Sequence, residues 1–258
     1  MCRFIPLLLM TGWMKMPISV RDWEMRETGC MGLYKTWLLV GISLLSTAGM
    51  ALENYRATYS ISVRGVHAGE VMHEAIFTDL TYRVDTFASP SFAAKMLGFG
   101  RITELSQGLI KNGIVYPQKY QRSMEGDEEY RLFYDYQPDQ HQVSAQIGNE
   151  QQVLDYDEGI RPLDILALIV QSSLDEEHQH IANDYTLLSE NKIRTYSVEV
   201  RPNEVWQMPN GENVDIHVYD QINNNRQTRV YFAQNPVRLV KLTQYKDGDV
   251  RFNLKLID

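Results

Sequence analysis

The sequence predicts a mainly β fold: a strongly curved antiparallel sheet, barrel or half-barrel, of about a dozen strands with one or two short helices packed against it. Three observations lead there. Residues 54–64 alternate Tyr55, Ala57, Tyr59, Ile61 and Val63 with polar neighbours, the period-two pattern of a half-buried strand. Asn112-Gly113, Asn210-Gly211 and Asp247-Gly248 recur between apolar stretches, and such pairs favour two-residue hairpin turns that need positive φ at both positions. Only one long segment, residues 162–174, is apolar at helical rather than strand spacing.

The elements follow in order. After the first strand, Gly65 to Gly69 is expected to turn the chain, and residues 70–77 and 80–87 to continue as an antiparallel meander. Pro90 suits a helix entrance and Gly98 an exit, so residues 91–97 should form one or two turns, with Phe92, Met96 and Leu97 near one face. A strand at 101–107 leads to Asn112-Gly113, and 129–136 alternates again through Tyr130, Leu132, Tyr134 and Tyr136. Further strands are expected at 142–147, 194–201, 214–219, 228–233, 239–245 and 250–257, with a short one around Trp206. Between them, residues 162–174 place Leu163, Leu166, Ala167, Ile169 and Val170 so densely that most of the helix surface must be covered, with Pro162 in its first turn. Residues 175–184 are polar and expected to be a surface loop.

The N-terminus predicts export. Lys35, an apolar core over 37–45 and the small residues before Leu52 are the three parts of a secretory signal, with a cut near Ala51 or alternatively after Ala48. The core is shorter than the roughly 20 residues of a membrane-spanning helix, so no stable anchor is expected after cleavage. Residues 1–30 fit the signal poorly and are expected to be a mis-assigned or disordered extension, with Met31 the start, 31–51 the signal and 52–258 a single β-rich domain. Both cysteines, Cys2 and Cys30, precede the cut, so the remaining chain has neither disulfide nor thiol nucleophile. The leader is net +2, leaving −10 on the rest against −8 for the whole chain. An acidic domain without a basic run repels phosphate backbones, and nucleic acid is not an expected partner.

Catalytic frames are missing from the sequence. There is no Gly-x-Ser-x-Gly elbow, and Gly98-Phe99-Gly100 lacks the third glycine and preceding buried strand of a dinucleotide loop. His178 and His180 beside Glu176 and Glu177 are metal-ligand types, but no third ligand is identifiable nearby and a solvated loop explains them as well. Asp155, Asp157 and Glu158 read as a solvated carboxylate run, although carboxylate chemistry has no short motif to betray it. No catalytic, cofactor or metal residues are therefore assigned. Tyrosines in the strands combine an apolar ring with a polar tip, and with the apolar helix they mark a candidate ligand groove lined by Tyr55, Tyr59, Phe92, Met96, Leu166 and Val170. For any one of these tyrosines taken singly, ordinary β packing is the favoured account.

Several segments carry a family resemblance. Residues 59–63 with Gly65 and Ala68-Gly69-Glu70, Asn112-Gly113 with Pro117 and Tyr120, Pro162 to Leu166, and residues 228–233 before Pro236 to Leu239 follow the order seen in the bacterial envelope family called domain of unknown function 3108, which this chain resembles. Tyr231 stands where relatives often place tryptophan. The resemblance implies a periplasmic protein with a curved antiparallel sheet and few helices, and supplies no activity. The function expected is non-enzymatic binding of a lipid or other apolar ligand, or of an envelope protein. Its rivals are a hydrolase acting on a cell-envelope polymer through carboxylates and a scaffold that pairs through a sheet edge.

Overall fold

The computed structural model describes residues 52–125, 130–208, 210–223 and 226–258. The expected signal segment and the extension before it lie outside the described residues.

Fourteen antiparallel strands form one curved, unclosed sheet. The first half runs β1 (Tyr55–Val63), β2 (Val66–Phe77), β3 (Thr81–Pro90), β4 (Ile102–Lys111), β5 (Ile114–Met124), β6 (Tyr130–Gln137), β7 (Gln142–Ile147) and β8 (Glu150–Asp155). The second runs β9 (Asp184–Ser189), β10 (Lys192–Gln207), β11 (Asn213–Asn223), β12 (Arg226–Ala233), β13 (Arg238–Lys246) and β14 (Asp249–Leu256). Each half is a meander of sequential hairpins. They meet in the middle of the sheet, where β1 pairs with β14 through Tyr59 opposite Leu256, and Thr58 N–H donates to the Asp258 carbonyl at 2.7 Å.

Among the described residues two α-helices accompany the sheet: α1 (Phe92–Met96) follows β3, and α2 (Ile165–Glu177) links β8 to β9. Ser91 caps α1 by accepting from Ala94 N–H, while Pro90 still belongs to β3. Asp164 caps α2, its Oδ1 accepting from Leu166 and Ala167 N–H at 3.1 and 2.9 Å. The helix therefore begins later than Pro162 suggests, because a side-chain acceptor satisfies the first-turn amides and proline offers none.

The 3.6-residue period sends Leu166, Ala167, Val170 and Leu174 of α2 into a core with Val84, Tyr120 and Leu132 of the first meander. Gln171 fixes the helix further: its Oε1 accepts from Val115 N–H at 2.8 Å and its Nε2 donates to the Gly113 carbonyl at 3.1 Å. A second core gathers Ala57, Tyr59, Ile61, Val240 and Phe252 around the central seam. At Gly108, a Cβ would meet the Tyr116 carbonyl oxygen at 2.2 Å, so the β4–β5 bulge there requires glycine.

Several sequence expectations are corrected. The first turn is confined to Arg64 and Gly65, and β2 already starts at Val66. Asn112-Gly113 and Asp247-Gly248 have positive φ at both residues; at Asn210-Gly211 the glycine has it, and that hairpin closes with Met208 N–H donating to the Glu212 carbonyl across a longer loop. Residues 150–155 and 184–189 are strands the alternation did not reveal, since β8 carries polar residues on both faces and β9 is short, its alternation broken at Leu187-Leu188, both of which are buried. Asp155 thus ends a strand, and residues 175–177 are helix rather than surface loop.

Candidate ligand-binding cavity

The largest departure from the expected loop is Glu176. It is buried beneath the second meander, where its carboxylate accepts from the Tyr219 hydroxyl and from Gln234 Nε2 at 2.8 Å, and pairs with His217 Nδ1. A buried carboxylate is tolerated only when its lone pairs are filled, and three partners fill them here. Asp175, one residue earlier, accepts from the Tyr185 hydroxyl at 2.6 Å and from Gln171 Nε2 at 2.8 Å. These contacts tie the end of α2 to β9, β11 and the β12–β13 turn.

Between the tethered helix and β9–β14 lies a cavity of about 370 Å³. Ile165, Leu168 and Ile169 form its helical wall, one step round from the side that packs on the first meander. The apolar density of α2 in the sequence has this origin: one side is sealed by strands and the other faces open space. Tyr219, Phe232 and Leu239 form its floor, a small core of their own. Toward the turns the lining becomes polar, through Gln221, Thr228 and Gln244, and then cationic, through Arg64, Arg226, Lys246 and Arg251. No aspartate or glutamate is among the described lining residues.

None of the six residues expected along a groove lines this cavity. Leu166 and Val170 are on the sealed side of α2, 3% and 2% exposed. Tyr59 lies behind the floor, its hydroxyl donating to the Leu239 carbonyl at 2.8 Å, and Tyr55 stacks on His73 at 5.6 Å. Phe92 and Met96 stand at the surface on α1, 80% and 73% exposed. The general signal, an apolar helix against tyrosine-bearing strands, is present; the tyrosines at the cavity are Tyr185, Tyr196, Tyr219 and Tyr245, from strands that β9 and β10 bring around the helix.

Two other buried polar groups are structural in placement. Asp164, besides capping α2, accepts from Ser106 Oγ at 3.0 Å and from the Tyr136 hydroxyl at 3.3 Å, and burial outweighs these bonds to push its carboxyl up to about 6. His73 is buried with Nδ1 3.1 Å from Thr86 Oγ1, and burial lowers its imidazole to about 4. His178 and His180 are exposed past the end of α2, and no cluster of three metal-ligating side chains occurs among the described residues. No helix among them is long and apolar enough to cross a membrane.

No family model matches the chain, and no curated protein matches it. A solved structure does. The crystal structure of a β-barrel-like protein of domain of unknown function DUF1849 from Brucella abortus is similar, with a TM-score of 0.52 at 10% identity, over 80% of this chain and 97% of that one. At that identity the likeness speaks for the fold, a β-barrel-like sheet, and for nothing else.

Proposed function

We propose that this is an exported, non-enzymatic binding protein that holds an apolar ligand between α2 and β9–β14. The carrying observation is the cavity: a concave, largely apolar space walled by Ile165, Leu168, Ile169, Val230 and Phe232, of the size at which small-ligand sites begin, roughly 300 Å³ and above. The signal-like residues 31–51 support periplasmic export, in keeping with the sequence resemblance to domain of unknown function 3108.

A hydrolase using paired carboxylates would place two facing Asp or Glu side chains in the cleft, and the described lining has neither. The scaffold reading draws on β10, which outruns β9 and leaves Val200 and Val205 on an uncovered edge. Pro202 and the charged Glu199, Arg201 and Glu204 interrupt that edge in the manner that discourages strand addition, so ligand binding remains the better account.

The test is mass spectrometry of the protein isolated without detergent from its producing cells. A co-purifying apolar molecule released by denaturation is the expected result, together with an N-terminus at Leu52. A protein that carries nothing and also fails to bind a neutral apolar fluorophore would end this reading.

A further inference from the structure

The lining of the cavity is graded along its strands. On β12 the alternate residues Phe232, Val230, Thr228 and Arg226 pass from aromatic to aliphatic to hydroxyl to cation. On β13 the partners repeat the order, with Leu242 opposite Val230, Gln244 opposite Thr228 and Lys246 opposite Arg226. Arg251 follows on β14, and Arg64 adjoins it from the β1–β2 turn, its N–H donating to the Arg251 carbonyl at 3.0 Å. Four cations from neighbouring turns thus share one end of a cavity whose other end is apolar.

Carboxylates stand at this end as well. Asp249 accepts from Arg251 Nη2 at 3.2 Å, and Asp247 acts on Arg226 through its charge. Arg251 nevertheless keeps a buried Nε–H with no hydrogen-bond partner. A buried donor of this kind costs free energy until an acceptor reaches it, and an anion is the best acceptor for a guanidinium.

We infer that the ligand is a single-chain amphiphile with an anionic head, its tail against Ile165, Leu168 and Ile169 and its head among Arg226, Lys246 and Arg251. This rests on the ligand-binding reading above and names the ligand class. Burial also lowers Arg226 to about 10, so a bound anion would offset the desolvation its guanidinium already bears. The shared chemistry is a carboxylate or phosphate on one alkyl chain, in keeping with a cavity of about 370 Å³.

Calorimetric titration of the purified, delipidated protein with laurate, dodecyl phosphate, dodecanol and dodecylammonium tests it, alongside the variants Arg226→Gln/Lys246→Gln and Arg251→Gln, with circular dichroism to verify their folding. The expected result is that one or both anions bind at least about tenfold more tightly than dodecanol, and that the substitutions remove the preference by weakening anion binding far more than dodecanol binding. The tighter of the two anions identifies the head. If dodecanol or dodecylammonium binds as well as the anions, or if folded variants keep the preference, the inference is overturned while the carrier reading stands. If none of the four binds, both fall.

Discussion

Glu104 Oε1 lies 2.6 Å from Arg122 Nε, with both side chains withdrawn from water, and the same oxygen accepts from the Tyr120 hydroxyl at 2.6 Å. This ion pair is buried in the first meander, away from the cavity lining. Its attraction has to offset the desolvation of two charges, so its value lies in being complete.

Breaking it from one side should therefore cost more than removing it. Glu104→Gln leaves the Arg122 guanidinium buried without its counter-charge, and a loss of about 3–5 kcal/mol in urea denaturation is expected. The double substitution Glu104→Gln/Arg122→Met should recover part of that loss. A single-substitution cost below ~1 kcal/mol would show that water reaches the pair.

Asp164 and His73 oppose each other in acid. Burial raises Asp164 to about 6, so the folded state holds its proton to higher pH than the unfolded state, and this group's stabilisation fades as pH rises from about 4 to 6. Burial lowers His73 to about 4, so the unfolded state takes up that proton first, and its stabilisation is lost as pH falls from about 6.5 to 4. Each effect is on the order of 3 kcal/mol, and they nearly cancel. Relative to the unsubstituted protein, Asp164→Asn should make stability rise with pH across this window and His73→Phe should make it fall, both read from chemical denaturation at a series of pH values.

Removing the Glu176 carboxylate strands its donors. Glu176→Ala should destabilise by about 3 kcal/mol, because Tyr219, His217 and Gln234 lose their acceptor in a buried site. Tyr219→Phe takes away one donor and leaves the others paired, and should cost about 1 kcal/mol. Thermal and urea unfolding distinguish the two.

Filling the cavity should block binding without unfolding the protein. Val230→Trp places a large ring beside Thr228 and Leu242, and binding of a neutral apolar fluorophore should weaken at least about tenfold at little cost in stability, since the ring enters open space.

The surface placement of α1 separates two kinds of apolar residue. Phe92→Ser should change stability by less than about 0.5 kcal/mol, whereas Leu166→Ala on the sealed side of α2 should cost about 2–5 kcal/mol. Both are measured by urea denaturation.

The fold was legible where local chemistry decides it. Period-two alternation marked β1 and β6, and two Asn-Gly or Asp-Gly pairs marked I′ turns, because neither signal needs a distant partner. Strand β8 and the acidic end of α2 were not legible, since what makes Glu176 an interior residue is His217 and Tyr219 some forty positions along the chain. The cavity was half legible. The apolar helix was visible, yet which side of it faces strands and which faces space depends on Gln171 anchoring it to the β4–β5 hairpin, a tertiary contact that periodicity cannot report.

The pairing of β1 with β14 carries a kinetic consequence. Among the described residues every other strand pairing in the sheet joins sequence neighbours, most across a short turn and β3 to β4 across the segment that holds α1, so each meander can zip from local contacts at low entropic cost. The central seam instead joins the two ends of the described chain. Among the described strand pairings it is the one that must wait for the chain between its partners to be synthesised, and it sets the search that a nearly local topology otherwise avoids. Substitutions at Tyr59 or Leu256 are therefore the ones that should slow refolding, where those in the outer hairpins mainly hasten unfolding.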